Sequence, residues 1–293
     1  MADKREFHVT SECELLPYLL GLPIGLSRKQ AKDLLKFQAV MVRGKTRARH
    51  DTLLAPGDVV EVATRRQVGD RSLERVGLRI VHIDDAIVVI DKPVGLLSMG
   101  SEREKEKTTH RILNEHLKAL ERSPRQQVFI VHRLDRETSG LMVFARSESV
   151  QAALQRNWKD VAKRYLAIVE GTPSHSSRTL RDNLVESTSF KVHRVAKGGE
   201  LAITHYRVKK TFGERSLLEV TLETGRKHQI RVQLASIGHP IVGDRKYGAT
   251  TDSARRLALH SCALRFRHPV SGAAMEFYSA LPDPLKVLIQ RRR

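Results

Sequence analysis

The chain has 293 residues, 40% hydrophobic and 29% charged, a globular composition at a length that suits about two domains. Fifty-two Lys and Arg against 33 Asp and Glu leave a formal charge of +19, which calls for a polyanionic partner: RNA, DNA or an anionic membrane. No window approaches the ~20 apolar residues of a transmembrane helix, the opening Met-Ala-Asp-Lys-Arg-Glu has no apolar core, and Cys13 and Cys262 are too few for a disulfide framework, so a cytoplasmic protein with reduced thiols is expected.

In chain order, residues 12–20 read as a short helix, and a second begins after Leu26. There Ser27 and Gln30 form a capping box, and Ala31, Leu34 and Leu35 recur at helical spacing. Arg28, Lys32 and Lys36 stand at i, i+4 and i+8 with Lys29 beside them, a basic stripe along the flank of the apolar face. From Arg28 to Arg49 eight basic residues face one acid, Asp33, for a local charge of +7. Val40 and Val42, a Gly44-Lys45 turn, Pro56-Gly57 and the run Asp58 to Val62 complete two helices and a small sheet. This stretch resembles the S4-like RNA-binding domain. The resemblance implies that the second helix and following loop face RNA, through Arg28, Lys29, Lys32, Arg43 and Lys45.

Residues 65–77 are charged, aperiodic and contain Gly69 and Gly77, which marks a linker. The expected organisation is a small domain over 10–66, a linker over 67–77 and a larger domain over 78–290. In the larger domain strand signals dominate, at 80–83, 86–90, 128–131, 141–145, 165–169, 203–212 and 216–221. Ser101 to Lys107 reads as an exposed loop. Val150, Ala153, Leu154 and Trp158 make one helical stripe; Ile230, Leu234 and Ile237 make another that stops at Gly238. Strands with a few helices, not strictly alternating, argue an α+β domain on a largely antiparallel sheet.

Two motifs mislead. Gly44-Lys45-Thr46 ends like a phosphate-binding loop, but the glycine such a loop needs five residues earlier is Ala39. His132-Arg133-Leu134-Asp135 has its aspartate one place too late for a kinase, and no Gly-rich loop accompanies it. The thirteen histidines offer no ligand set. No metal and no nucleotide cofactor are expected.

The informative segment is Val128 to Arg146, where two apolar strands flank a polar loop holding Asp135 between Arg133 and Arg136. Guanidinium groups beside a carboxylate keep it ionised, as a nucleophile or base must be. His132-Arg-Leu-Asp135-Arg-Glu-Thr-Ser-Gly-Leu-Met-Val resembles the signature of RluA-type pseudouridine synthases. Further segments agree in order: Asp91-Lys-Pro-Val-Gly-Leu-Leu, Lys163-Arg-Tyr165-Leu-Ala-Ile-Val-Glu-Gly, Thr224 to Ala235, Gly238 to Gly248, Leu259 to Cys262, and Phe266 to Gly272. The similarity spans about residues 78–285.

The resemblance implies Asp135 as the catalytic aspartate, Tyr165 as an active-site tyrosine and Arg231 as the arginine that pairs with Asp135. Taken alone, Tyr165 alternates with Ala167 and Val169 and could be core, and Arg231 could be a surface residue. Arg231 lies off the apolar stripe of its helix and can point into a cleft. Arg133, Arg136 and His228 are placed at the RNA. Lys227 and Gln233 depart from the family, which usually has Thr and often His there. Implied are a structured RNA substrate, ribosomal in preference to transfer RNA, no cofactor, no membrane partner and a monomer. The rivals are a tRNA-directed synthase, and a non-catalytic RNA-binding or ribosome-assembly protein; the trio Asp135, Tyr165 and Arg231 argues against the latter. The Arg291 to Arg293 tail has no assigned role.

Overall fold

The computed structural model describes residues 4–36, 39–44, 48–63, 73–100, 108–121 and 127–290. Lys45, the stretch 64–72, the expected loop at 101–107 and the Arg291 to Arg293 tail lie outside the described residues. The chain divides into two compact units, one of Met1–Gly77 with Ile112–Gln127 and a second of Leu78–Arg111 with Val128–Arg293. Residues 112–127 thus group with the amino-terminal unit.

In the first unit, β1 (Lys4–His8), β5 (Val59–Ala63) and β3 (Val40–Val42) form an antiparallel sheet in that order, and β2 (Cys13–Glu14) pairs β4 (Leu53–Leu54). The helix expected over 12–20 is shorter: Cys13 and Glu14 are drawn into strand pairing with Leu54 and Leu53, and α1 spans Leu15–Gly21. The capping box of α2 (Arg28–Lys36) forms as read, Gln30 Oε1 accepting from Ser27 N–H at 2.8 Å and Ser27 Oγ from Gln30 N–H at 3.3 Å. Ala31 and Leu34 join Leu15, Leu19, Val40, Val60 and Val62 in the core. Arg28, Lys29 and Lys32 stay exposed on the flank, since helical periodicity separates them from the buried face. Arg43, at φ 51, is committed to Asp58 through Nε and Nη2, both at 2.6 Å; a phosphate there would compete with that carboxylate.

The second unit is built on one large sheet. Its path is β12 (Val192–Val195), β11 (Ser177–Glu186), β13 (Glu200–Phe212), β14 (Arg215–Leu222), β10 (Ala162–Glu170), β15 (Leu259–Arg267), β9 (Ser139–Ala145), β7 (Ile87–Lys92) and β6 (Arg79–Ile83). β16 (Ala274–Tyr278) pairs β15, and β8 (Phe129–Ile130) pairs β9. Every pairing in this sheet is antiparallel except β9 with β15, the seam on which the site is built.

Helices α3 (Thr109–Glu121), α4 (Glu148–Arg156), α5 (Gln229–Ser236) and α6 (Asp283–Lys286) complete the regular elements discussed below. β9 is buried along its whole length, as its unbroken apolar run requires. α4 starts at Ser147, whose Oγ accepts from Val150 N–H. Its Val150 and Leu154 pack with Val143 and Phe266. α5 ends before Gly238, which takes φ 85 as a helix stop should.

Candidate active site

Asp135 lies in the loop between β8 and β9, and three neighbouring strands align the cleft. Gly140 of β9 is opposite Ser261 of β15, and Ser261 is opposite Tyr165 of β10. The first approach is so close that a Cβ on Gly140 would sit 2.2 Å from the Ser261 carbonyl oxygen, and Gly140 has φ 116. Only glycine meets both demands, and the row brings the end of the Asp135 loop beside Tyr165.

The loop is pinned along its length. Ser98 Oγ donates to Leu134 O at 2.6 Å and accepts from Leu134 N–H at 3.1 Å. Thr138 N–H donates to Asp135 O at 3.1 Å, and Gly95 N–H to Arg136 O at 2.8 Å. His132, stacked on Trp158 at 4.3 Å, accepts from Val143 N–H through Nε2 at 3.1 Å. Lys92, fully buried, donates to Pro93 O at 2.9 Å, Leu96 O at 2.8 Å and Arg136 O at 3.4 Å. Its ammonium therefore ties the Pro93 to Leu96 turn to the Asp135 loop. Burial pushes Lys92 down to about 7, with Asp135 opposing that shift and Arg256 adding to it.

The charge on Asp135 is met from across the fold. Arg231 Nη1 lies 3.5 Å from Asp135 Oδ2 and 2.9 Å from Glu137 Oε2. Its other edge is bidentate to buried Asp244, Nε to Oδ2 at 2.7 Å and Nη2 to Oδ1 at 2.8 Å. Burial opposes the Arg231 charge, but the Asp244 hydrogen bonds, then the charges of Asp244, Asp135 and Glu137, outweigh it and raise its pKa. Arg133 and Arg136, which flank Asp135 in sequence, have exposed side chains, and Arg231 meets the carboxylate from α5. The stripe reading of α5 also changes, because Gln229 through Leu234 are all buried and Arg231 is 2% exposed. A helix buried through its first six residues presents its arginine to partners inside the protein.

His228, before α5 at φ 54, has Nε2 3.8 Å from Asp135 Oδ2 and Nδ1 2.7 Å from Tyr247 Oη. Burial, reinforced by Arg231, Lys246 and Lys227, pushes it down to about 3. It is neutral near neutral pH, which leaves Arg231 as the cation on Asp135. Tyr247 Oη accepts Val192 N–H at 3.1 Å, so its own proton is available to His228 Nδ1 and the imidazole can carry its hydrogen on Nε2, toward Asp135. Tyr165 is 8% exposed, and burial first, then the Asp135 charge, raises its pKa; it is a neutral phenol. Asp135, Tyr165, Leu222, His228, Arg231 and Leu259 line one pocket of ≈ 80 Å³. A hollow of ≈ 590 Å³ bordered by Leu154, Asn157, Asp160 and Arg265 contains none of these groups. Among the described residues no set of His, Cys, Asp or Glu is placed to hold a metal, and no helix is long and apolar enough to cross a membrane.

The trio singled out by resemblance is thus assembled in one pocket, with His228. Two further residues are not signalled by any pattern of their own, buried Lys92 and buried Asp244; the only trace of them is their presence in the segments that carry the family likeness.

Residues 86–236 match the sequence model of the family described as RNA pseudouridylate synthase. The ribosomal large subunit pseudouridine synthase D of Vibrio cholerae is 35% identical over 276 residues, covering 88% of this chain and 85% of its own. The protein of the same name from Nitrosomonas europaea is 37% identical, covering 81% and 72%. Human RNA pseudouridylate synthase domain containing 4 superposes with a TM-score of 0.61 at 26% identity, over 76% of this chain and 94% of that one. With its family match, its sequence relatives and a fold shared with the human protein, the chain belongs to the RluA-type RNA pseudouridine synthases, enzymes that isomerise uridine in RNA to pseudouridine.

Proposed function

We propose that this enzyme modifies specific uridines of large-subunit ribosomal RNA and that Asp135 is its catalytic carboxylate. The observation that carries the reading is the placement of Asp135 in a pocket with Tyr165, its charge met by a buried arginine. The names of the relatives, large-subunit synthases of ribosomal RNA, support that substrate over transfer RNA. The basic α2 flank, Arg28, Lys29 and Lys32, with Arg43 and Lys45, would let residues 10–66 act as an S4-like RNA grip, leaving 78–290 for chemistry, in a cytoplasmic monomer.

Pseudouridine formation breaks the bond from uracil N1 to ribose C1′, turns the freed base and rejoins it through C5, with loss of the C5 proton and no redox change. The uridine must first leave the RNA stack, at a cost of a few kcal/mol that phosphate contacts and stacking offset. Asp135 then attacks C1′, or takes the C2′ proton. Arg231 pairs with Asp135 and aims it, and Asp244 holds Arg231. Tyr165, kept protonated by burial and by Asp135, serves by packing on the detached base; a phenol that holds its proton so firmly is a weak acceptor for the C5 proton. Arg133, Arg136 and His228 face the RNA at the rim.

Asp135→Asn should abolish tritium release from large-subunit ribosomal RNA labelled at uracil C5 while binding that RNA nearly as well as the wild type. Release at the wild-type rate by that variant would refute the assignment.

A further inference from the structure

The turn at 187–191, which joins β11 to β12, is closed from within. Phe190 N–H donates to Ser187 O at 2.9 Å and Ser187 N–H to Lys191 O at 2.8 Å. Ser187 Oγ donates to Lys191 O at 3.0 Å and accepts from Lys191 N–H at 3.3 Å. At its tip Phe190 takes φ 58, a region that bulky residues rarely enter, and the residue is 68% exposed. One exposed apolar side chain is ordinary. Its surroundings are not: Lys227 Nζ lies 5.4 Å from the ring centroid, Lys246 Nζ donates to Phe190 O at 2.9 Å, and Lys191 Nζ lies 5.9 Å from the Tyr247 ring. Against these three ammonium groups stands Glu186, which is bonded to Lys227.

The patch is continuous with the pocket. Lys227 immediately precedes His228, and Lys246 immediately precedes Tyr247. Tyr247 Oη joins both sides, accepting from Val192 N–H at the start of β12 and bonding His228 Nδ1. The turn is thus attached to the histidine that faces Asp135. A protein partner would want a wider apolar surface than a single ring among cations. An unpaired nucleotide offers what this surface does match: a flat π face for the ring and a phosphate for the ammonium groups.

We propose that Phe190, with Lys191, Lys227 and Lys246, forms an RNA subsite beside the Asp135 pocket, where the ring stacks on an unpaired base next to the flipped uridine and the lysines hold its flanking phosphates. This subsite rests on the RNA-modifying role proposed above. The conformation at Phe190, held by the Ser187 hydrogen bonds and the Lys246 contact, presents the ring to solvent before RNA arrives, so little ordering is needed on binding.

The test uses the full chain and a large-subunit ribosomal RNA transcript tritiated at uracil C5. Wild-type protein is assayed first: absence of tritium release there would refute the substrate reading and not the subsite, which is then judged by direct binding of the same RNA. Phe190→Ala should raise KM, or Kd, roughly 5- to 100-fold with kcat within about twofold and the salt slope unchanged, because base stacking is lost and no phosphate contact is. Phe190→Trp should keep wild-type KM. Since Trp158 is the chain's single tryptophan and lies against His132, the Phe190→Trp reporter should add a fluorescence quench on RNA binding that the wild type lacks. Lys191→Gln with Lys246→Gln should lower the salt slope by about one to two.

An affinity of Phe190→Ala within twofold of wild type, or a Phe190→Trp reporter blind to RNA, would overturn the proposal. So would a loss confined to kcat, which would make the ring part of the pocket's framework. A defect seen only on partly assembled ribosomal subunits and not on naked RNA would assign the patch to a protein and overturn it equally.

Discussion

Arg231 turns two of its nitrogens to Asp244, at 2.7 and 2.8 Å, and so offers Asp135 and Glu137 only Nη1, at 3.5 and 2.9 Å. The carboxylate proposed as catalytic therefore depends on a second, buried carboxylate to aim its partner. Asp244→Asn leaves a guanidinium that is 2% exposed without its bidentate anion. Breaking one side of a buried pair costs about 3 to 5 kcal/mol, and the remaining acids temper that here. The expected result is a lower melting temperature together with a kcat reduced about 10- to 100-fold, since one to three kcal/mol of Asp135 positioning is at stake. Single-turnover tritium release and thermal melts check it; wild-type values in both would refute the role of Asp244.

The β9–β15 seam makes a sharper stability prediction. Gly140→Ala must place a Cβ 2.2 Å from Ser261 O at φ 116, so either the strands part or the backbone strains. Overpacking and backbone strain together amount to roughly 2 to 5 kcal/mol. Gly225→Ala, which meets nothing within 4 Å, is the control and should change stability by less than about 0.5 kcal/mol. Urea unfolding of both variants decides it, and a Gly140→Ala midpoint equal to the control's would show that the seam is more pliant than its geometry implies.

What is legible in the sequence follows from how local each signal is. The Ser27–Gln30 box, the stop at Gly238 and the apolar strands around Asp135 are set by neighbouring residues, and each appears in place. Strands β11, β12, β15 and β16 escape a reading by alternation because their buried positions do not form a clean apolar period: β11 buries only Leu180 and Leu184, and β15 buries polar His260 and Ser261. Helix α3, with Leu113 and Leu117 buried, is missed as well. The Asp135–Arg231 pair is reached only through family resemblance, since no periodicity links a loop aspartate to a helix elsewhere in the chain. Asp244 and Lys92 enter only as unremarked members of the segments that carry the family likeness. Their importance lies in burial, which an isolated Val-Gly-Asp or Asp-Lys-Pro does not announce.

A chain of hydrogen bonds behind the loop has one permitted direction. Arg256 Nη2 donates to Ser139 Oγ at 2.6 Å, which leaves the Ser139 hydroxyl proton free for His260 Nδ1, 3.0 Å away. At the other end Ser279 Oγ donates to Asp91 Oδ2 at 2.6 Å and must accept from His260 Nε2 at 3.1 Å. The imidazole, buried and with its pKa lowered chiefly by that burial, is then the neutral Nε2–H tautomer. Nitrogen-15 NMR should find Nδ1 unprotonated and unchanged through neutral pH; a proton on Nδ1 or titration near neutrality would contradict this polarity. His260→Phe removes one partner from each of two buried hydroxyls, Ser139 and Ser279, which keep Arg256 and Asp91, and should cost about 1 to 3 kcal/mol.

Lys92 makes stability itself depend on pH. In the folded chain burial holds it down to about 7, against an ordinary value of 10.5. Between those two values the unfolded chain keeps a proton that the folded chain has released, so the unfolded state binds more protons and the Lys92 contribution to stability rises with pH. Below pH 7 both states are protonated and the cost of a buried charge is fully present; above 10.5 both are neutral. Other groups titrate over the same range, so the quantity to measure is the unfolding free energy of the wild type minus that of Lys92→Met. That difference should grow between about pH 7 and 10 by at most about 1.4 kcal/mol per pH unit, and a flat difference would mean that the carbonyls of Pro93, Leu96 and Arg136 keep the ammonium charged despite its burial. Lys92→Met also releases the Pro93 to Leu96 turn from Arg136 O. Its kcat should fall while RNA affinity holds, because those contacts position the Asp135 loop and not the RNA.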